Sequence, residues 1–403
     1  MADQSAARRV LSAVTSAGLV RPPSLTTEED RTASRLELFF DLAFVLVVAE
    51  LAGALREDVT LHGVAVFAGL FVTVWWAWVS STLYANRFDH DDVVFRLYKL
   101  ASMAAVIGMA ASATEATGER IGLFAGCQVL LRAVLLLQYA RVHRHVGAAR
   151  TLARTYLVAL AIGGLLWAVS IAVPAPVCFL LWGLAIAVEV VAPLRSTAAS
   201  SEVPLHMEHL PERFALFVIL VLGESVASVV HGVYEAKWTG EAVAVGAVSF
   251  VLAAALWWSH FDLAGAAAKR LLADAGGERS VRAHDVYVFG QLPLVLALAL
   301  IGAGIQLAVL QSSEGDVPLG TRLLLAGGVA LYLLSVSARN TGMATSWRSG
   351  WWWPLVAAAV AALDVTLELP AVVVMGALAA VMVAVIIVGT AQRATGRLEV
   401  DPV

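Results

Sequence analysis

The sequence predicts an all-α polytopic integral membrane protein, with about 12 transmembrane helices arranged as two related six-helix halves. Three observations carry this. Of 403 residues, 60% are hydrophobic and only 14% charged, whereas soluble domains run near half apolar and a quarter charged. Apolar runs long enough to cross a hydrocarbon layer recur from Leu36 almost to the C-terminus, each needing about 20 residues at 1.5 Å rise. The cationic residues, finally, fall almost entirely on one side of the resulting topology.

Residues 1–30 hold Arg8, Arg9, Arg21, Pro22, Pro23 and the acidic Glu28-Glu29-Asp30 without a signal-peptide apolar region, and read as a flexible cytoplasmic tail. Spans follow at 36–55, 61–84, 99–117, 121–140, 154–173 and 177–194 within a first half of residues 31–195. A connector at 196–211 leads to a second half, 212–392, with spans at 212–231, 241–261, 286–310, 320–338, 351–367 and 369–390, and a cytoplasmic tail at 393–403. The Pro174/Pro176 and Asp364/Glu368 hairpins are the weakest divisions, and a hairpin that does not cross would lower the count. With the N-terminus inside, the 27 Lys and Arg all lie on cytoplasmic tails, loops and helix ends except Arg56, Arg120, Lys237 and Arg322 outside and Arg132 within a helix. That bias follows the positive-inside rule and predicts that both termini lie in the cytoplasm.

An offset near 174 residues relates the halves. Glu37 and Glu50 in the first span answer Glu212 and Glu224 in the seventh, and Asn86-Arg87-Phe88-Asp89 answers Ser259-His260-Phe261-Asp262. Tryptophans precede both: Trp75, Trp76 and Trp78 in one, Trp257 and Trp258 in the other. Six helices per half would give parallel repeats about an axis along the membrane normal.

Ionisable groups inside membrane helices cost several kcal/mol and are the first functional candidates. Glu37 and Asp41 lie one turn apart on one face of the first span, and Glu50 points elsewhere. Glu37 near the helix start reads either as an interfacial carboxylate favoured by the helix dipole and reachable by Arg35 or Arg31, or as a functional group. Asp41, among Phe39, Phe40 and Phe44, is expected to face a bundle interior, paired with a cation or lining a hydrated cavity. Pro211 and Glu212 suit a first helical turn beside Arg213, whereas Glu224 lies roughly 18 Å into its helix next to Gly223 and has no such explanation. It is the strongest single candidate. Arg132 is the one basic residue expected deep in a span, near Gln128 and Gln138. Its partner is either structural, from Asp41, Glu50 or Glu189, or an anion or proton-coupling site. Asp262 and its neighbours sit at a membrane boundary, where polar groups are ordinary, and Trp351-Trp352-Trp353 reads as interfacial anchoring.

His206-x-x-His209 with Glu208 is too short and isolated for a metal centre. Cys127 and Cys178 lie in apolar runs without metal or redox spacing. No phosphate loop, nucleophile elbow or zincin helix occurs, no cofactor is expected, and nothing supports nucleic-acid binding. The expected partners are the lipid bilayer and a small cation or proton, with a homo-oligomer allowed.

Arg35-Leu-Glu-Leu-Phe-Phe-Asp-Leu-Ala-Phe-Val45, His209-Leu-Pro-Glu-Arg-Phe-Ala-Leu-Phe-Val-Ile-Leu-Val-Leu-Gly-Glu-Ser225 and Trp257-Trp258-Ser-His-Phe-Asp262 closely resemble the bacterial low temperature requirement A (LtrA) family, over nearly the whole chain. Glu37, Asp41, Glu212, Arg213, Gly223, Glu224 and Asp262 are the polar positions that match its pattern, and His260 stands where an aromatic is expected. The family name records growth in the cold and implies no substrate or reaction. Arg35-x-x-x-Phe39-Phe40-Asp41 is also similar to the Arg-x-x-x-Phe-Ser-Asp start of the lysosomal potassium-channel family, with Phe40 in place of the serine and no corresponding motif in the seventh span.

Together these features point to a transporter or channel whose first and seventh spans line a path. Asp41 and Glu224 would handle a cation or proton there, tuned by Glu37, Glu50 and Arg132. An intramembrane enzyme acting on a lipid or isoprenoid, and a non-catalytic scaffold, are the competing classes.

Overall fold

The computed structural model describes residues 20–26, 34–89, 92–199, 203, 209–265, 268, 278–344, 352–363, 366 and 368–394. Its helices are α1 (Arg35–Glu57), α2 (Leu61–Arg87), α3 (Val93–Ser112), α4 (Ile121–His145), α5 (Arg150–Ser170), α6 (Val177–Ala199), α7 (His209–Glu235), α8 (Gly240–Trp258), α9 (Glu278–Leu310), α10 (Leu319–Ala344), α11 (Trp352–Leu363) and α12 (Ala371–Ala394). A π-helical turn, Ser259–Gly265, extends α8. Among the described residues, eleven helices are long and apolar enough to cross a membrane, and the apolar part of α11, Pro354–Leu363, is shorter. Of the span expected at 351–367, the described residues show a helix over Trp352–Leu363, about 18 Å against the 30 Å of hydrocarbon.

Local chemistry sets the helix starts. Ser34 and Glu37 form a reciprocal capping box on α1, Ser34 N–H donating to Glu37 Oε2 at 2.8 Å and Glu37 N–H to Ser34 Oγ at 3.2 Å. Asp92 caps α3 by accepting from Phe95 N–H at 2.8 Å, and Thr239 caps α8 from Ala242 N–H at 3.3 Å. The Asp92 cap starts the third helix earlier than the expected 99–117, which draws Lys99 inside it.

The chain packs as two compact units, one of Met1–Val47 and Thr73–Leu210, the other of Val48–Val72 and Pro211–Val403. The boundary runs through α1 and α2 rather than only between the two expected halves. In the first unit α4, α5 and α6 pack in series, around an aromatic core in which Tyr139 and Tyr156 stack at 4.7 Å and Tyr84 meets Tyr139 edge-on at 5.0 Å. Two-residue strands β1 (Ser24–Leu25) and β2 (Phe88–Asp89) pair antiparallel, holding part of the N-terminal stretch against the end of α2. Arg141 Nη2 donates to Asp92 Oδ2 at 2.8 Å and to the Arg21 carbonyl at 2.9 Å, joining the same place. Burial drives the Asp92 carboxyl upward, but its bonds from Arg141, Phe95 N–H and Arg21 N–H outweigh that and hold its pKa below the ordinary carboxylate value.

In the second unit α9 packs along α10, and α8 against α12. Small residues permit the closest approaches, as where a Cβ on Gly302 of α9 would meet Ser225 Oγ of α7 at 3.3 Å. Large apolar side chains such as Leu42, Leu46, Leu180 and Ile387 remain exposed on the outside of single helices, as a chain whose solvent is lipid requires.

Candidate functional site

The structure divides the candidate residues into three groups. The first surrounds Asp41 on α1, which has no exposed surface. Trp78 of α2 donates its indole N–H to Asp41 Oδ1 at 2.8 Å. Nearby, the Lys99 ammonium of α3 lies 4.0 Å from the centroid of the Phe40 ring and is 2% exposed. Sequence reasoning put Lys99 at the cytoplasmic boundary, because a lysine at the edge of an apolar run ordinarily reaches for the interface. Here its helix begins two turns earlier, so Arg132 is not the sole basic residue deep in a span. Glu37 is buried and committed to the Ser34 capping box.

The second group answers what Arg132 pairs with. Its Nε donates to Glu189 Oε1 at 3.0 Å and its Nη2 to Glu189 Oε2 at 3.2 Å. That is the bidentate geometry a guanidinium favours. Trp76 N–H adds a bond to Glu189 Oε2 at 2.9 Å, Gln128 Oε1 accepts from Arg132 Nη1, and the Trp167 ring lies 5.3 Å from the guanidinium carbon. Side-chain exposure is 2% at both ends of the pair. A Cβ at Gly163 on α5 would run into the Glu189 carboxylate, so the glycine makes room for the charge. Residues from α2, α4, α5 and α6 converge here, and the polar atoms of the ion pair are consumed by one another.

The third group is in the other unit and draws on the end of α1 and on α7. Glu224 is half-buried and Glu50 exposed, and the two interact electrostatically. Arg56, at the end of α1, interacts with Glu224, Glu235, Glu50 and Glu57, and its Nη1 is buried without a hydrogen-bond partner among the described residues. On α7 the heptad step from Glu224 to His231 and the further step to Glu235 keep all three within about 40° of one face at 100° per residue. His231 and Glu235 are exposed. Gln306 Nε2 reaches Glu235 Oε2 at 3.4 Å. The result is two carboxylates in electrostatic range of one guanidinium, with a histidine and a further carboxylate along the Glu224 face of α7. Groups so arranged can take up, share and release a proton or small cation.

Glu212 is exposed in the first turn of α7, and Arg213 beside it is buried. Asp262 is half-buried in the π-helical turn. His206 and Glu208 lie outside the described residues. Sequence reasoning left Arg56 on the external surface and did not single out His231 or Glu235. Their signal was the spacing from Glu224, which marks a shared helix face.

Long apolar helices with buried carboxylates and guanidinium groups define a multi-pass membrane protein. Residues 32–387 match the family described as bacterial low temperature requirement A protein (LtrA), and the chain belongs to that family. It is also similar to an uncharacterised protein of Rhizobium meliloti (strain 1021), 28% identical over 282 residues that cover 68% of each chain.

Proposed function

We propose that the protein is a transporter or channel that moves a cation or proton across the bacterial plasma membrane, through a path lined by α1 and α7. What supports this reading is that Arg56 of α1 interacts electrostatically with both Glu50 of α1 and Glu224 of α7, so the two helices bring ionisable groups within range of one another. Glu224 lies roughly 16 Å along the helix from Glu235, near the middle of a 30 Å hydrocarbon layer. A carboxylate at that depth costs several kcal/mol unless water or a cation reaches it. His231 and Glu235 continue the polar face toward the helix end. Glu50 and Glu224 are also corresponding positions of the duplication read from the sequence, and the Lys/Arg distribution supports both termini being cytoplasmic.

A scaffold role suits the Arg132–Glu189 pair, whose bonds are internally satisfied, and the enclosed Asp41 belongs to the same wall. The test is cation and proton flux in proteoliposomes for wild type, Glu50→Gln, Glu224→Gln and Asp41→Asn. Loss of flux in Glu224→Gln, with folding retained, is expected. Wild-type flux in both glutamate variants would sink the assignment.

A further inference from the structure

A second polar cluster lies where the π-helical turn meets α9 and α10, and the proposed cation path does not use it. Arg339 of α10 is 2% exposed. Its Nη2 donates to the Ala264 carbonyl at 3.3 Å, and the Tyr287 ring lies 5.6 Å from its guanidinium carbon. A Cβ on Gly290 would stand 3.1 Å from Arg339 Cγ, so the backbone of α9 presses directly against the arginine stem. The electrostatic neighbours of Arg339 are Tyr287, Tyr332 and His260, with no carboxylate among the described residues. Contrast Arg132, whose burial is met by a bidentate glutamate.

The surrounding polar atoms are unmet as well. Among the described residues, Arg339 Nε, His260 Nδ1, Gln291 Oε1 and both amide atoms of Asn340 are buried without hydrogen-bond partners. Gln291 neighbours the Tyr287 hydroxyl, and Tyr332 donates to Ser259 Oγ at 3.4 Å. A buried guanidinium without an anion, ringed by unsatisfied donors and acceptors, is costly in an apolar interior. π-helical turns occur frequently at functional sites because the widened turn redirects backbone groups, and here it delivers the Ala264 carbonyl.

We propose that Arg339, with His260, Gln291 and Asn340, forms an anion site that takes a phosphate group. The guanidinium supplies the charge and a fork of N–H donors suited to an oxyanion. Gln291 Oε1 is an acceptor, so the ligand must also carry a hydroxyl, as a protonated phosphate or a glycerol headgroup does and a halide does not. Position agrees. Arg339 lies in the last turn of the apolar span Leu319–Gly342, the π-helical turn closes Gly240–Gly265, and Tyr287 and Gln291 lie in the first turns of Ala283–Leu310. All three meet at one membrane boundary, the depth of lipid phosphates. The phosphate comes from a phospholipid or from solution.

The test uses the purified full chain in detergent. Its Tm is measured with sodium phosphate against sodium chloride at matched ionic strength, and with phosphatidylglycerol against phosphatidylcholine in mixed micelles. A saturable rise of about 5 °C is expected from phosphate, from phosphatidylglycerol, or from both. Phosphate alone identifies the free ion, and phosphatidylglycerol alone the lipid. Arg339→Gln should remove the response, and Arg339→Lys, which keeps charge but loses the fork, should weaken apparent affinity about tenfold. The proposal is overturned if chloride matches phosphate and phosphatidylcholine matches phosphatidylglycerol, if none raises Tm, or if Arg339→Gln responds as wild type. Should Arg339→Gln not fold, unchanged affinity in Arg339→Lys overturns it equally. The readout is ligand binding rather than flux, so it stands apart from the cation path.

Discussion

Replacing Arg132 by Met strips Glu189 of both guanidinium bonds, at 3.0 and 3.2 Å, and leaves the Trp76 indole as the donor to its carboxylate. The side chain stays enclosed at 2% exposure, so no solvent compensates. Breaking a buried pair from one side costs about 3–5 kcal/mol, which is roughly a hundred- to several-thousand-fold in the folding equilibrium. Replacing both partners, as Arg132→Met with Glu189→Leu, removes the stranded charge, and the double variant should return to within about 2 kcal/mol of wild type or exceed it. Reversible unfolding in mixed micelles would measure this, with the tryptophans at 76 and 167 beside the pair as reporters. Because the pair is read as wall and not path, the double variant should also conduct at the wild-type rate. A single variant as stable as wild type, or a double variant that merely sums two large losses, would refute the argument that this pair fixes helix packing.

Gly163→Ala should displace the Glu189 carboxylate that its Cβ would overlap, lowering stability by about 1–3 kcal/mol, less than Arg132→Met, in the same unfolding measurement. Trp78→Phe removes the indole donor to Asp41 and should cost about 1–3 kcal/mol while leaving flux intact, tested by thermal melting beside proteoliposome assays. Asp92, held below its ordinary pKa, contributes stability that is full above its unfolded value near pH 4 and is lost as pH falls through the lower folded value. Melts from pH 7 to 3 should therefore show a lower Tm for Asp92→Asn at neutral pH and a shallower acid decline than wild type. His231→Ala should slow proteoliposome flux several-fold while leaving the Tm unchanged, and wild-type flux in that variant would remove His231 from the path.

The helices were legible because hydropathy at a 20-residue scale reports directly on the solvent a segment meets, and Pro174 and Pro176 marked a true hairpin. Glu224 could be found from depth alone, since a carboxylate that far into an apolar run has few cheap explanations. The partner of Arg132 was not legible: three acids were sterically reasonable, and the choice of Glu189 depends on Gly163 and Trp76 from other helices. Lys99 was misjudged because hydropathy marks where apolar character begins, whereas the Asp92 cap marks where the helix begins. Arg339 escaped notice for a related reason, since its depth is set by the packing of Gly290 and Tyr287 against it rather than by its own neighbours in sequence. The division of α1, with Asp41 and Glu50 in different compact units, is likewise a property of tertiary contacts that no local pattern encodes.

Both native thiols, Cys127 and Cys178, are buried. The unaltered chain is therefore already a quiet background for membrane-impermeant maleimides, and a reporter cysteine can be introduced without first removing the native ones. That matters most around α11, because the parity of crossings after α10 determines which face of the membrane the last residues reach. A cysteine placed beyond Ala394, labelled in intact cells and again after permeabilisation, turns the length of one 12-residue helix into a choice between two compartments.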